Sequence, residues 1–141
     1  MNNPVSKPIF GDKPLLCVDW DGVIHSYSSG WQGADVVSDP PTPGALDWLR
    51  EATDHFEVCI YSSRSSQPGG IAAMKEALIG WIDEAAAFDS YSAPPAWYGK
   101  LQWPTSKPAA FLTIDDRALR FTGDWARFDP KTLLAFKPWN K

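Results

Sequence analysis

The sequence predicts an α/β domain with a parallel sheet, because three short apolar runs are separated by longer segments with helical spacing of apolar residues. The runs are residues 15–18, 56–61 and 111–114, and each has the length and the β-favouring residues of a buried strand. Each run also ends directly in polar or charged residues. Ligands bind at the carboxyl ends of strands in open α/β sheets, so functional residues are expected there.

Two helices are predicted between these strands. The first is expected to start at residues 42–44, with the hydroxyl of Thr42 as a cap and Pro43 in the first turn. Its apolar face consists of residues at helical spacing, namely Ala45, Trp48, Leu49 and Ala52. Residues 68–87 repeat the pattern and predict a second helix with Trp81 on its apolar side.

Two further strands are predicted from weaker signals. Residues 88–92 have the length of a short strand, and residues 133–137, which precede Pro138, are expected to form a last strand at the sheet edge. Alternation of strands and helices predicts a sheet that helices cover on both faces.

Composition favours one domain. The chain is 44% hydrophobic, enough for a core, and we expect residues 15–141 to fold as a single domain after an N-terminal extension of residues 1–14. That extension has no apolar stretch long enough for a signal peptide or a membrane span, so a cytoplasmic protein without a membrane partner is expected. Cys17 and Cys59 lie inside predicted strands and are expected to be buried thiols.

Asp19 and Asp21, in the motif Asp-Trp-Asp-Gly after the first strand, are the most informative residues. Side chains two positions apart point the same way from extended backbone, and two carboxylates there repel each other unless a cation lies between them. Mg²⁺ takes oxygen ligands and combines one or two carboxylates with phosphate and water. The motif also occurs in plain turns and calcium loops, so its meaning depends on the other strands.

The other two strands end in groups that phosphoryl transfer uses. Ser62, Ser63 and Arg64 follow the second strand, the acidic pair 115–116 follows the third, and Lys107 stands just upstream of the third. Phosphoryl transfer requires mainly positioning and charge neutralisation around the phosphoryl oxygens. The sequence therefore predicts a magnesium-dependent phosphoryl-transfer site.

In this order, the four motifs resemble those of the haloacid dehalogenase (HAD) superfamily of phosphatases and phosphotransferases, from about residue 15 to residue 116. The resemblance implies a three-layer Rossmann-like parallel sheet with the first motif on its central strand. It also implies a phosphoric monoester hydrolase that acts through an aspartyl-phosphate intermediate.

The resemblance implies a role for each matched residue. Asp19 would be the nucleophile and Asp21 the general acid and base, with a pKa above that of the metal-bound carboxylate. Ser62 would donate a hydrogen bond to the phosphoryl oxygens, and Lys107 would offset negative charge. The implied magnesium ligands are Asp19, Asp21 and Asp116, with Asp115 supporting.

No cap domain is predicted. Residues 23–41 are fewer than twenty and rich in Gly, Ser and Pro, enough for a hairpin flap and a loop, and residues 65–106 are filled by a helix, a strand and a Pro-rich loop. The site is therefore expected to be open. An open site suits either a macromolecular substrate or a small one held by loops or by an oligomeric neighbour, and the sequence leaves the oligomeric state open.

Charge and tryptophans bear on the substrate. Residues 1–99 carry 5 basic and 13 acidic side chains, whereas residues 100–141 carry 8 basic and 4 acidic ones. The basic part is either a solvated surface or attracts a phosphorylated small molecule or a nucleic-acid end. Three tryptophans in loops are expected near the mouth of the site, where they would stack on a base, namely Trp31, Trp97 and Trp103. Trp48 and Trp81 are expected in the core.

Several side chains have two interpretations. Arg64 either binds substrate phosphate or carboxylate or serves as a structural ion-pair partner. His25 either contacts substrate or lies on the surface without a role, and Ser63 either contributes to the site or caps a turn. Lys100 competes with Lys107, which is closer to the third motif and is followed by Pro.

Two other functions remain alternatives. A response-regulator receiver domain also uses an acidic pocket, Mg²⁺ and an aspartyl phosphate, but its acidic pair follows the first strand, whereas here the adjacent pair follows the third. A catalytically silent phosphate-binding regulatory domain would usually have lost the nucleophile or the metal ligands, and both are present.

Overall fold

β1, residues Leu15–Val18, is the central strand of a small parallel sheet in the computed structural model, which describes residues 13–86 and 93–141. Among these residues the sheet has three strands in the order β2-β1-β3, with β2 at Glu57–Ile60 and β3 at Leu112–Ile114. The register pairs Val18 with the last residue of both neighbours. All three strands therefore end at the same edge, and the residues that follow them become neighbours.

The fold is α/β with an open sheet, which agrees with the predicted class and is compatible with a Rossmann-like arrangement. The central strand is buried because its side chains pack into the core on one side and against the second strand's cysteine on the other. Cys17 and Cys59 are register partners and both are buried free thiols, as expected.

Three helices precede β3 within the described part of the chain. They are α1 at Ala45–His55, α2 at Gly70–Ala86 and α3 at Ala96–Gly99. α1 packs on β2 and on α3, with Leu49 fully buried, whereas Met74 and Leu78 of α2 complete the same core. Both predicted helices are thus present. The one expected to open at residues 42–44 begins at Ala45, and the one expected over residues 68–87 begins at Gly70 and is described as far as Ala86.

The start of α1 differs from the prediction in its cap. Gly44 occupies the N-cap position with φ 85° and no side-chain cap is present there. The Thr42 hydroxyl donates instead to the carbonyl oxygen of Val23 at 2.6 Å. Thr42 therefore holds the 23–41 loop against the helix start and does not cap the helix.

Two predicted sheet features are wrong. Residues 133–137 form no strand, because α4 at Pro130–Leu133 and the turn after it occupy this segment, and Pro130 favours the first turn of a helix. The sheet is also not covered at β3, where the side chain of Leu112 is 52% exposed. The predicted strand at 88–92 lies outside the described residues.

The 23–41 loop contains no strand, but its two ends pair antiparallel. It is held by isolated bridges in which His25 pairs with Asp21 and with Pro41. Trp20, between the two aspartates, is fully buried and stacks on Trp81 with ring centroids 5.4 Å apart, which confirms a core position for Trp81. Trp48 is 41% exposed, so its predicted core position is wrong.

None of the helices in ranges 13–86 and 93–141 combines the length and the apolar composition that a bilayer crossing requires.

Candidate active site

Residues from all three strand ends meet in two adjoining cavities at the carboxyl edge of the sheet. The larger has a volume of about 160 Å³ and is lined by Asp19, Asp21, Tyr27, Trp31, Ser62, Ser63, Asp116 and Arg117. The smaller, of about 110 Å³, shares Asp19, Ser62 and Ser63 with it and adds Lys107 and Asp115. The residues that the sequence singled out at three strand ends are therefore brought together.

Three carboxylates form the acidic centre of this edge. Asp19, Asp115 and Asp116 each offer an oxygen, and these oxygens lie within 4.8 Å of one another. Such an all-oxygen, negatively charged donor set suits a hard divalent cation such as Mg²⁺. The carboxylate of Asp21, which was expected to join the metal ligands, is not part of this group.

The two neighbouring carboxylates and burial alter the pKa of Asp19. Burial raises the pKa of Asp19 to about 8, and the negative charges of Asp115 and Asp116 add to the shift. A cation bound among the three carboxylates would favour the ionised form and reverse the shift. The position of Asp19 is fixed by its backbone N–H, which donates to the Ile114 carbonyl oxygen at 3.0 Å.

The glycine of the Asp-Trp-Asp-Gly motif has a steric function. Gly22 adopts φ 80°, and the carboxylate of Asp116 lies directly against its Cα, so that a Cβ atom at Gly22 would overlap an Asp116 oxygen. The Asp116 side chain is only 4% exposed as a result of this packing. Gly22 therefore lets the third strand's acidic residue approach the first strand's motif.

Asp21 has two built-in hydrogen-bond partners, of which Arg64 supplies the counter-charge. Arg64 Nε donates to Asp21 Oδ2 and His25 Nδ1 bonds Asp21 Oδ1, both at 2.8 Å. Burial acts to raise the pKa of Asp21, but these two hydrogen bonds and the positive charge of Arg64 outweigh it and hold the pKa below its ordinary value. The pKa of Asp21 therefore lies below that of Asp19, whereas their implied roles require the pKa of Asp21 to be the higher one.

His25 is a positioning residue and differs from the expectation that it contacts substrate. Its side chain is 1% exposed, and its Nε2 accepts the backbone N–H of Asp39 at 3.1 Å. Because Nε2 is the acceptor in that bond, the ring proton sits on Nδ1 and is donated to Asp21. Both ring nitrogens are occupied, which leaves none for a ligand.

Arg64 is fully buried and forms an ion pair with Asp21, which is one of the two roles that the sequence left open. Its Nη2 atom has no hydrogen-bond partner among the described residues. Besides its bond to Asp21, its Nη1 atom donates to three carbonyl oxygens of the 23–41 loop at 2.7–2.9 Å, those of Gly33, Ala34 and Val36. Its Cζ atom also lies 4.9 Å from the ring centroid of Trp31. Arg64 thus joins the second strand's turn, the first motif and the loop.

Ser62 and Ser63 line both cavities. The Ser62 hydroxyl oxygen accepts the backbone N–H of Arg64 at 3.2 Å, and the Ser62 N–H donates to the Ser65 hydroxyl at 3.0 Å. Because its oxygen is an acceptor here, the hydroxyl can still donate its own hydrogen to another group. Ser63 contributes its backbone to the turn by accepting from the Gln67 side chain.

The structure separates the two candidate lysines. Lys107 lines the smaller cavity with Asp19 and Asp115. Lys100 follows the last turn of α3, where its N–H bonds Trp97, and it lines neither cavity.

The three loop tryptophans have different locations. Trp31 lines the larger cavity and is 49% exposed. Trp97 and Trp103 pack against the hydrophobic core, and the Trp103 ring lies 6.4 Å from that of Trp20. The expectation that Trp97 and Trp103 flank the mouth of the site is therefore wrong.

Sequence patterns gave no signal for the contacts of the C-terminal residues with the first motif. Trp139 Nε1 donates to the Gly22 carbonyl oxygen at 2.7 Å, and the Asn140 amide donates to that of Ser26 at 3.0 Å. Tyr27 was missed as well, although it lines the larger cavity. These pairs are more than a hundred positions apart in sequence, beyond the reach of any local pattern.

No family model, curated protein or solved structure matches this chain. What the cavities do must therefore be inferred from their own residues.

Gly22→Ala should weaken Mg²⁺ binding, because the added methyl group displaces Asp116. We expect a loss of about 10- to 100-fold, as for other changes that move a metal ligand. Gly123→Ala is the matched control, since Gly123 has φ 89° and nothing within 4 Å of an added Cβ. Both variants should lose about 1–2 kcal/mol from backbone strain, but calorimetry should show weaker Mg²⁺ binding only for Gly22→Ala. Equal Mg²⁺ affinity in both would contradict the steric role.

His25→Ala should raise the pKa of Asp21, because it removes one of the two hydrogen bonds that favour the carboxylate. The measurement is an NMR titration of the Asp21 carboxyl carbon. His25→Asn is the control, since its amide N–H can replace the Nδ1 donor, and it should give a smaller shift.

The same change should alter stability with a defined sign. The folded-state pKa of Asp21 lies below its unfolded value, so the pairing stabilises the fold above the unfolded pKa, and this contribution is lost as pH falls through the folded pKa. The difference in unfolding free energy between wild type and His25→Ala should therefore narrow on acidification. A difference that is constant with pH would show that His25 acts only through packing.

Proposed function

We propose that this protein is a magnesium-dependent phosphatase of the capless HAD type, with Asp19 as the nucleophile that carries the phosphoryl group. The observation that carries the proposal is the meeting of Asp19, two further acidic residues, Ser62 and Lys107 around adjoining cavities. The order of these side chains along the chain, which resembles the HAD motifs, supports the same assignment.

Asp19, Asp115 and Asp116 are the proposed magnesium ligands. When bound, Mg²⁺ would supply the positive charge that lets a carboxylate approach a phosphate dianion and would stabilise the negative charge of the transition state. Lys107 adds a second positive charge from the smaller cavity.

Two displacements make up the proposed reaction. An oxygen of Asp19 forms a bond to phosphorus while the ester P–O bond breaks and its electron pair leaves with the alcohol oxygen. Water then attacks the phosphorus of the aspartyl phosphate, and the Asp19 carboxylate departs. Ser62 donates a hydrogen bond to a phosphoryl oxygen in both steps.

Asp21 has the proton-transfer task in this proposal. Its bonds to Arg64 and His25 keep the carboxylate ionised, so it is present as an acceptor for the proton of the attacking water, while its lowered pKa makes it a weaker base than an ordinary aspartate. The leaving oxygen takes its proton from solvent, to which the larger cavity opens beside the half-exposed Trp31. Between turnovers Asp21 returns the accepted proton to solvent.

Hydrolysis of an aryl phosphate should require Mg²⁺ and stop in excess EDTA, because the approach of two anions then lacks its cation. Asp19→Asn should eliminate turnover, whereas Asp21→Asn should slow it by about 10²- to 10⁴-fold, the usual range for loss of an acid–base group. The readout is phosphate release.

Beryllium trifluoride, a phosphoryl mimic, separates the proposal from its alternatives and should be found on Asp19. A mimic on Asp21 would invert the assignment. A stable adduct on Asp19 without turnover of any phosphate monoester would favour a receiver-like or silent regulatory domain. Undiminished turnover in excess EDTA would show that the reaction does not require Mg²⁺.

Asp116→Ala should weaken the Mg²⁺ dependence of turnover more than Asp115→Ala. The Asp116 side chain is nearly buried against Gly22, whereas Asp115 is exposed and accepts the backbone N–H of Arg117 at 2.8 Å. A fixed ligand loses less freedom on binding than an exposed one. Titration of activity with Mg²⁺ measures both variants, and equal shifts would show that the two ligands are equivalent.

A further inference from the structure

Trp31 is the one large aromatic side chain at this edge that is half exposed and also lines the larger cavity, among the residues that the structure describes. Nothing in the proposed chemistry of Asp19 uses it. An indole ring held at the mouth of a phosphate site is suited to contact the part of the ligand beyond the phosphate.

The ring is fixed in place by Arg64. The buried guanidinium lies 4.9 Å from the ring centroid, which is within cation–π range and covers one face of the indole. Arg64 is itself held by Asp21 and by three loop carbonyl groups. Trp31 is 49% exposed, and the ring face opposite Arg64 is the one that a ligand could contact. A flat ligand ring can stack there without first ordering the indole.

Tyr27 lies at the same cavity as Trp31 and has an unusual backbone conformation. It has φ 61°, the one non-glycine residue with positive φ among those described, and it lines the same cavity. Strained backbone of this kind persists where the surrounding structure holds it and is concentrated at ligand sites. His25 packs edge-on against the Tyr27 ring, with centroids 5.8 Å apart.

The size of the cavity limits what enters it. A volume of about 160 Å³ is small, since sites for whole drug-sized ligands have about 300–1,000 Å³. The cavity therefore admits a phosphoryl group and little more, and the remainder of the ligand lies at the mouth beside Trp31. A ring that stacks on the exposed part of Trp31 from the mouth would then be joined to its phosphate by a spacer.

We propose that Trp31 is a stacking surface for a nucleobase and that the ligand is a nucleotide with a terminal phosphate monoester, either free or at a nucleic-acid end. This inference rests on the proposed phosphatase function. A nucleotide combines the required parts, since its ribose separates the base from the phosphate and every base has a flat face that stacks on tryptophan. Arg117, which lines the cavity and is 60% exposed, can pair with a further phosphate in the nucleic-acid case.

Binding to the inactive Asp19→Asn protein tests the stacking without turnover. Adenosine 5′-monophosphate and ribose 5-phosphate differ only in the base, and calorimetry with Mg²⁺ should show the nucleotide binding about 5- to 150-fold more tightly, the range for one base–aromatic stack. Trp31→Leu in the same background should abolish this preference. Trp31→Phe, which keeps an aromatic ring, should retain most of it and shows that the loss is not one of folding.

Trp48→Leu is the matched control. Trp48 is also about half exposed but lines a different, apolar cavity beside α1, so its replacement should leave the preference for the nucleotide unchanged. Equal affinity for adenosine monophosphate and ribose 5-phosphate would overturn the inference. A preference that persists in Trp31→Leu, or that is lost equally in Trp48→Leu, would overturn it as well.

Turnover by the wild type distinguishes this inference from the proposed function. If Trp31-dependent nucleotide binding is found but no phosphate monoester is hydrolysed, the phosphatase assignment fails and the nucleotide site stands. In phenyl phosphate the ring is bonded directly to the phosphate oxygen. If its hydrolysis depends on Trp31 as strongly as hydrolysis of the nucleotide does, the assignment of a nucleotide is wrong.

The two sources of nucleotide differ in salt dependence. For a nucleic-acid end, kcat/KM for an oligonucleotide with a terminal phosphate should exceed that for the mononucleotide and fall steeply with salt, because further phosphates pair with basic residues. For a free nucleotide, kcat/KM for the mononucleotide should exceed that for the oligonucleotide. Salt should then change kcat/KM for the mononucleotide only slightly. Both results retain the stacking surface.

Discussion

Four carboxylates meet where β1 and β3 end, and the neutralisation of their charge is the constraint on which the site depends. Asp21 has its counter-charge built in, since Arg64 and His25 both bond it at 2.8 Å. Asp19, Asp115 and Asp116 lie within 4.8 Å of one another, and burial with like charge raises the pKa of Asp19 to about 8. Asp21 thus has a close counter-charge from the protein, whereas Arg117 lies 3.9 Å from Asp116 and Lys107 lines the smaller cavity with Asp19 and Asp115. A cation would compensate the charge that remains on these three carboxylates.

Arg64 couples this electrostatic arrangement to the loop that covers it. Its Nε atom bonds Asp21, its Nη1 atom bonds the loop carbonyl groups, and its planar face supports Trp31. Lysine could not replace it, because only the guanidinium has several donors in a fixed plane. The ionised state of Asp21 and the position of the ligand-facing ring therefore depend on one side chain, and a change at Arg64 would alter both together.

The sequence predicted the parts of the site that depend on local signals. The first and third strands end as predicted, directly before Asp19 and Asp115, and the second ends at Ile60, one residue earlier than predicted. Short apolar runs and their polar termini are encoded locally. Parallel pairing in register then brings these ends together. The helix at Pro130–Leu133 was missed because apolar residues in a short segment fit a strand and a helical turn equally well.

Contacts between distant segments were beyond sequence reasoning, and they decide the roles of individual side chains. Whether Arg64 meets a substrate or an aspartate depends on the path of the 23–41 loop, which no periodicity specifies. His25 looked like a surface residue because its burial depends on Asp39 and Asp21 arriving from either side. The sequence indicated that three loop tryptophans lie at the mouth of the site. Of these, only Trp31 lines the cavity, because the other two pack against the hydrophobic core.

The open sheet makes the loop more important than it would be under a cap domain. With β3 exposed, the 23–41 loop supplies Tyr27 and Trp31 to the wall of the larger cavity. The C-terminal residues bond the carbonyl oxygens of Gly22 and Ser26 next to that loop. Buried donors fix that loop at Arg64 and His25, so the rim needs little ordering when a ligand arrives. Such a site does not enclose its ligand. It selects the ligand through the side chains held at its rim, mainly the indole of Trp31.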